Sequence, residues 1–202
     1  MRTRTVRDTR VALPVDDPAD LAPLARIPQP SERLGDHTIT GDTWSRATIT
    51  GNVISHCWLT GADLASATFT DVTLDRCVFS GCTMMGSNWD TVTLRDVLFE
   101  ECRLDYSTLS AITTAGPTAF QRCSFTEASI TESRLGKAAF DQCRLGRLEL
   151  ERCDLRGTDL RGNDLSDLAA ATGLRGVLLD QNQLPALAEV LVRELAIGVT
   201  AQ

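Results

Sequence analysis

The sequence lacks the segments that mark membrane-spanning and exported proteins. No apolar run approaches the roughly 20 residues that a membrane-spanning helix needs. The basic start, with Arg2, Arg4 and Arg7, is followed by no apolar stretch, so no secretory signal is indicated. We therefore expect a cytoplasmic protein with reduced cysteines and no membrane partner.

Motifs that carry chemistry are equally scarce. The two histidines, His37 and His56, have no second ligand at metal-binding spacing. There is no C-x-x-C pair, no glycine-rich phosphate loop, no nucleophile and base signature, and no carboxylate pair in a recognisable cleft. We expect no catalytic residue, no metal and no cofactor, and hence a protein that is not an enzyme.

What the sequence does contain is a period of five. Every fifth residue from Ile39 to Leu109 is apolar, and after a short interruption the count resumes, one residue out of phase, from Phe120 to Leu165. With 43% hydrophobic residues, so long a run has a chance probability of about 10⁻⁹. Five fits neither a helix nor a strand. It fits a chain that turns a corner every five residues and stacks coil on coil, about 4.8 Å apart.

Three segments identify the family that the pattern resembles. Residues 61–65 (Gly-Ala-Asp-Leu-Ala), 157–161 (Gly-Thr-Asp-Leu-Arg) and 162–166 (Gly-Asn-Asp-Leu-Ser) are close to the A-(D/N)-L-x-x motif of pentapeptide-repeat proteins. The resemblance implies an all-β fold, a right-handed quadrilateral parallel β-helix with twenty residues per coil. We expect this β-helix over residues 36–179, a proline-rich extension with a basic start at 1–35, and a C-terminal capping or dimerisation helix at 180–202.

The extension has two interpretations. It is either an extended or partly disordered tail that caps the first coil, with Leu21, Leu24 and Ile27 over the open end, or an arm that contacts a partner or phosphates. A short basic stretch without interleaved aromatic residues is a weak signal for nucleic acid. No direct nucleic-acid binding is expected.

Taking every fourth apolar position places like residues above one another inside the rod. This predicts a phenylalanine ladder of Phe79, Phe99, Phe120 and Phe140. It also predicts a column of thiols from Cys82, Cys102, Cys123 and Cys143. Disulfides and zinc are both conceivable in such a column. A single file of thiols lacks tetrahedral geometry, however, so we interpret the cysteines as small core residues.

The interruption of the count, over residues 110–119, is the irregular part of the rod. Thr114 falls where a large apolar residue is due, and Gly116-Pro117 is a turn signal. Thr113, Thr114, Gly116 and Pro117 are therefore the candidate loop residues. The segment is either a tolerated bulge or a loop that contacts a partner.

Near the C-terminus the apolar residues change to a helical spacing. Leu184, Leu187, Leu191 and Leu195 form the stripe and are the candidate dimer interface. In the family that the sequence resembles, such a helix closes the rod and forms two-fold dimers. Simple capping of the last coil is the alternative.

Charge is the most informative surface property. The net charge is −7, and one predicted face carries Asp71, Asp90, Glu132, Glu149 and Glu151 against only Arg152, beside a mildly basic face. An acidic stripe of this kind suits a basic groove on a partner. A merely solvated charged face is the alternative interpretation.

The resemblance extends to activity. Residues 82–89 (Cys-Thr-Met-Met-Gly-Ser-Asn-Trp) and 102–107 (Cys-Arg-Leu-Asp-Tyr-Ser) are similar to the middle of bacterial quinolone- and albicidin-resistance proteins. Those proteins act on DNA gyrase, and their acidic rods have been likened to duplex DNA. The resemblance implies a homodimeric DNA mimic that binds gyrase or a related type II topoisomerase and protects it from inhibitors. This sequence lacks the long inserted loops of the quinolone-resistance group and has a long N-terminal extension. A general interaction scaffold with an unrelated partner is therefore the alternative.

Overall fold

The protein is described by a computed structural model that covers residues 2–41, 44–169, 171 and 173–200. The strands are β1 (Thr3–Val6), β2 (Thr9–Ala12), β3 (Ala22–Pro23), β4 (Arg33–Gly35), β5 (His37–Thr40), β6 (Thr48–Thr50), β7 (Val53–Ser55), β8 (Trp58–Thr60), β9 (Thr68–Thr70), β10 (Thr73–Ser80), β11 (Asn88–Asp90), β12 (Thr93–Glu100), β13 (Thr108–Ser110), β14 (Thr113–Thr114), β15 (Thr118–Gln121), β16 (Ser129–Thr131), β17 (Ala138–Asp141) and β18 (Glu149–Glu151). Two short 3₁₀ turns span Pro18–Asp20 and Gln181–Gln183, and the one α-helix of the described residues, α1, spans Leu184–Glu194. Within these residues no helix has the length and apolar character needed to span a membrane.

The predicted parallel β-helix is confirmed. Each strand of the rod pairs in parallel with the strand one coil away, so that Leu74 lies opposite Ile54 on one side and Leu94 on the other. Corner residues adopt the left-handed conformation, including non-glycine residues such as Asp71 (φ 54°) and Glu132 (φ 51°). Stacking about six such coils lets every coil bury a core that it could not bury alone.

The core consists of the residues at the five-residue period and the small residues two before them. The rings of Phe79, Phe99, Phe120 and Phe140 stack in sequence with centroids 4.8 Å apart at each step. This distance equals the coil spacing, so the ring stacking follows directly from the strand register.

The thiols lie inside the rod and bond to its backbone. In the column formed by Cys82, Cys102, Cys123 and Cys143, each Sγ donates to backbone carbonyls, as Cys102 does to Phe79 O at 3.4 Å. In the neighbouring column, burial raises the pKa of the Cys57 thiol to about 11. A thiol with so high a pKa stays protonated near neutral pH and is a poor nucleophile. No group of potential ligands in the described ranges is arranged to hold a metal ion.

The structure confines the interruption of the count to residues 115–117. Thr114 still lies opposite Leu94, whereas Thr118 lies opposite Val97, so one extra residue is inserted between these two pairs. The N–H groups of Ala115 and Gly116 both donate to Leu94 O, at 2.8 and 3.2 Å, which is the arrangement of a β-bulge. A Cβ at Gly116 would lie 2.7 Å from Cγ of Arg95, so this position requires glycine.

The N-terminal extension differs from a simple cap on the first coil. Strands β1 and β2 form an antiparallel hairpin that lies on the side of the rod. Val6 and Val11 of the hairpin are buried against Val78, Leu98 and Ala119, which point outward from the rod. We refer to residues 3–12 as the hairpin.

The rest of the extension does close the first coils. Leu24 joins the main core and Leu21 is buried, whereas Ile27 is 40% exposed. Leu34 pairs opposite Ile54, so coil-like pairing already begins before residue 36.

At the other end, Gln183 and α1 cover the last coil. The Gln183 amide donates to the carbonyls of Leu160 and Asn163, at 2.9 and 2.8 Å, and its oxygen accepts the Asp180 N–H at 2.7 Å. Val190 of α1 is fully buried against the core. The end of the rod is thus closed by both hydrogen bonds and apolar contact.

Candidate partner-binding surface

One side of the rod is a regular polar sheet that no other part of the described chain covers. It is the six-stranded sheet of β6, β9, β11, β13, β16 and β18, and we call its outer side the bare face. The middle residue of each strand points into the core, and the two flanking residues point outward. Most outward residues are short hydroxyl side chains, such as Thr48, Thr50, Thr68 and Thr70.

The predicted acidic residues all lie on or beside this bare face. Asp90 lies in β11, and Glu149 and Glu151 flank the centre of β18. Asp71 and Glu132 are at the corner that immediately follows the strands. The five carboxylates, which we call the acidic stripe, form two groups, because the intervening coil carries Ser110 and Ala111 at these positions.

The two groups differ in how their charges are balanced. Glu132 forms an ion pair with Arg152 at 3.0 Å, and Arg152 also lies 3.7 Å from Glu151. These are exposed pairs, which contribute little to stability. Among the described residues, Asp71, Asp90 and Glu149 have no basic partner within ion-pair distance, and these three carboxylates are available to a partner.

The stripe is much less densely charged than DNA. Asp71 and Glu151 are four coils apart, which is about 19 Å at the strand spacing of a sheet. Five carboxylates and Arg152 give roughly one net charge per 5 Å, against about one per 1.7 Å along duplex DNA. An interaction that depends on the stripe alone should therefore be weaker than DNA binding and sensitive to salt.

The neighbouring face, predicted to be mildly basic, is partly neutralised by its own residues. Arg156 forms an ion pair with Asp154 at 2.5 Å, and its hydrogen bonds lower the pKa of Asp154 to about 2. The Lys137 ammonium donates to Ala115 O at 2.9 Å.

A second set of carboxylates was missed in the sequence. Glu100 and Asp141 lie beneath the hairpin, where Arg4 and Arg7 form ion pairs with them at 2.5 and 2.6 Å. We call this hairpin-covered side of the rod the covered face. The sequence does contain a pattern that marks the covered face. The outward positions of successive coils are apolar there: Trp58, Val78, Leu98, Ala119 and Ala139.

The candidate loop forms a flat bulge. Thr113 and Thr114 are paired in β14, and Thr114 is only 6% exposed. The Thr114 hydroxyl donates to Arg134 O and accepts the Lys137 N–H, both at 3.2 Å. Gly116 is buried and Pro117 is half-buried, so these residues lie within the wall of the rod.

The candidate dimer residues divide into two pairs. Leu187 and Leu191 pack against the core of their own chain. Leu184 and Leu195 are 52% and 56% exposed, and Ile197 beyond them is 50% exposed. The exposed apolar side chains of this C-terminal segment are therefore Leu184, at the start of α1, and Leu195, Ile197 and Val199, beyond its end.

Comparison with known proteins agrees with this architecture. Residues 53–118 match the family model of the pentapeptide repeat region. No curated protein matches the sequence. Solved structures to which the chain is similar include the following three. QnrB1, a plasmid-mediated fluoroquinolone resistance protein, is 16% identical, with a TM-score of 0.34, over 89% of this chain and 96% of that one.

The other two structures come from cyanobacteria. The pentapeptide repeat protein Rfr23 from Cyanothece 51142 is 16% identical, with a TM-score of 0.26, over 54% of this chain and 64% of that one. HetL from Nostoc sp. strain PCC 7120, involved in heterocyst differentiation regulation, is 16% identical, with a TM-score of 0.23, over 66% and 74%.

Proposed function

We propose that this chain, a parallel β-helix of which residues 53–118 match the pentapeptide repeat region, acts by binding rather than by catalysis. The acidic stripe would dock on the basic DNA-binding surface of DNA gyrase or a related type II topoisomerase and protect the enzyme from inhibitors. The observation that carries this proposal is the set of three carboxylates, Asp71, Asp90 and Glu149, that lie on or beside the bare face and have no basic partner among the described residues. The sequence resemblance to gyrase-directed resistance proteins supplies the partner class.

The continuous strand pairing of the bare face supports this role. A partner that meets a preformed sheet face loses little conformational entropy of the rod on binding. The low charge density of the stripe limits its electrostatic affinity, so shape must contribute as well. Joining two rods end to end would lengthen the acidic surface, and the exposed Leu184, Leu195 and Ile197 offer an apolar contact for a homodimer.

The alternative, a general scaffold that contacts an unrelated partner, has less support. Its expected contacts were the arginine-rich tail and the candidate loop. Arg4 and Arg7 are instead engaged in ion pairs within the chain, and the loop is a flat bulge.

The test is a gyrase supercoiling assay with a quinolone, performed with and without the protein. We expect the wild type to restore supercoiling at micromolar concentration, more strongly in 50 mM than in 200 mM salt. The double variant Asp71→Lys/Asp90→Lys should fold normally, because both side chains lie on the surface, and should lose most of this protection.

The matched control is Asp20→Lys/Glu189→Lys, which makes the same change in net charge at exposed positions away from the stripe. Protection should survive in this control. Equal loss in both double variants would show that only net charge matters, and absence of gyrase binding by the wild type would refute the proposal. For the dimer, Leu195→Glu should give monomers in sedimentation, whereas the same change at Leu191 would disturb the core contact of the helix itself.

A further inference from the structure

Tyr106 is the one tyrosine of the sequence and lies at a corner of the rod. It has a left-handed backbone (φ 61°) and is 56% exposed, and its hydroxyl has no hydrogen-bond partner in the described part of the chain. The equivalent corners of the other coils carry Arg46, Ser66, Gly86, Glu127 and Arg147, all with a left-handed backbone, so the fold accepts small and long side chains there. Tyr106 is the aromatic member of this column, and an exposed aromatic ring is a candidate anchor for a partner.

Tyr106 lines an open groove of about 700 Å³ on the face next to the bare face. Two short residues, Ser124 and Thr126, also line it, and the larger side chains around it include Met85, Arg103, Arg122 and Arg144. Arg103 and Arg144 are two coils apart, about 10 Å, with Ser124 between them. Ser124, which is short, therefore lies between Arg103 and Arg144, and Tyr106 lines the same groove.

The carboxylates of the groove are already engaged, whereas Arg144 is free to bind and Arg103 is held only by a long ion pair. Asp105 accepts the N–H of Thr126 at 3.0 Å and a hydrogen bond from the Ser124 hydroxyl. Glu101 accepts a hydrogen bond from Arg122 at 3.0 Å.

Arg103 forms a long ion pair with Asp105 at 3.7 Å, and its side chain is 58% exposed. Arg144 is exposed, and its guanidinium forms no ion pair or hydrogen bond with any described residue. The groove therefore presents positive charge on a protein that is acidic overall.

We propose that this groove binds an acidic segment of a protein partner, with Tyr106 as the apolar anchor and Arg103 and Arg144 as the carboxylate-binding residues. Tyrosine and arginine are enriched among the residues that dominate binding energy, and methionine is enriched in interfaces. Arginine pairs with carboxylates through two parallel hydrogen bonds. A nucleic-acid backbone fits less well, because a strand running across the rod would meet the acidic stripe one corner away. This surface is independent of the proposed gyrase contact.

The experiment uses a fluorescein-labelled ten-residue peptide that alternates glutamate and alanine around a central phenylalanine. Fluorescence anisotropy at low salt should show saturable binding to the full chain and none of the matching lysine peptide. Arg144→Glu should weaken binding about tenfold or more. Tyr106→Gly should weaken it several-fold while leaving Tm unchanged or raised, because glycine suits the left-handed corner.

Arg152→Glu, an exposed reversal beside the bare face, is the control and should bind as the wild type does. Failure of the wild type to bind the glutamate peptide, or equal weakening by Arg152→Glu, would overturn the proposal. A large drop in Tm for Tyr106→Gly would assign this residue a structural role instead. Tighter, Arg144-dependent binding of single-stranded DNA than of the peptide would reject a protein partner.

Discussion

The bare face and the covered face are built on the same coils, yet they use their carboxylates in opposite ways. On the covered face, Glu100 and Asp141 hold the arginines of the hairpin at 2.5 and 2.6 Å. On the bare face, Asp71 and Asp90 have no basic partner among the described residues. The two faces differ in their other outward side chains. On the covered face these are apolar, whereas on the bare face they are mostly hydroxyl side chains.

This contrast shows why a count of charges along a repeat cannot identify a binding surface. Both faces would appear acidic from the rod sequence alone. Only the apolar column, with Val78 and Leu98, attracts a segment of the same chain, and that segment brings the counter-charges with it. A carboxylate is therefore a candidate for partner binding only where its own chain leaves it free.

The largest loss of stability is expected when a core phenylalanine is truncated. This loss should be the same behind both faces, because they share one core. Phe99 lies behind the covered face and Phe69 behind the bare face, where it stacks on Trp89 at 4.2 Å; each phenylalanine is 1% exposed. We expect Phe99→Ala and Phe69→Ala each to lower the free energy of unfolding by about 3–5 kcal/mol. Denaturant unfolding measures this. A cost for Phe69→Ala below half that for Phe99→Ala would show that the faces differ in their cores as well as in their outer layers.

The faces should respond differently to the same substitution in their outward columns. Leu98, beneath the hairpin, is 2% exposed, whereas Thr108 of the bare face is exposed. Leu98→Asp places a carboxylate without a partner in an apolar contact and should cost about 2–3 kcal/mol or release the hairpin. Thr108→Asp should change stability by less than about 0.5 kcal/mol. Thermal unfolding with limited proteolysis of the N-terminus distinguishes them, and equal effects would contradict the comparison.

A smaller effect is expected from the ion pairs that hold the hairpin. Arg7 binds Asp141, whose side chain is only 11% exposed, so Arg7→Glu places two carboxylates side by side. The hairpin should become less stable by about 1–2 kcal/mol, seen as faster amide exchange at Val6 and Val11. Arg10→Glu, an exposed charge reversal on the same hairpin, is the control and should leave this exchange unchanged.

Much of the fold could be predicted because the period of five is itself a structural constraint. A residue that recurs at this spacing has to point inward once the chain turns a corner every five residues, so Phe79 and Phe99 had to stack. The register of the strands follows in the same way. The acidic residues could likewise be assigned to one face, since face membership needs only the count and the position of the slip.

The remainder depended on contacts that no period encodes. The hairpin pairs with itself and then packs across coils, and Arg4 and Glu100 are 96 residues apart in sequence. The outward apolar column is present in the sequence, but the period of five does not say which segment packs on it. The left-handed corner at Tyr106 is a property of the backbone, and the residue type alone does not predict it. Leu187, Leu191 and Leu184 belong to one helical stripe in the sequence. Only the packing in the structure shows that Leu187 and Leu191 contact the core whereas Leu184 is exposed.

The smallest loss of stability is expected when the pH is lowered, and it should again arise on the covered face. Burial raises the pKa of Asp159, but hydrogen bonds from Arg161 and the backbone outweigh this, and the pKa is lowered overall. Arg161 also binds Asp8 of the hairpin at 2.5 Å. A carboxyl with a lowered folded-state pKa adds stability above its unfolded pKa of about 3.8, and this stability is lost as the pH falls through the folded value. Between pH 5 and pH 2 we therefore expect Tm to fall by a few degrees more in the wild type than in Asp159→Asn, which has no carboxyl to protonate at this position. Parallel curves for the two proteins would mean that the acid-sensitive contact lies elsewhere, and that the ion pairs of the covered face do not differ from exposed pairs in their contribution to stability.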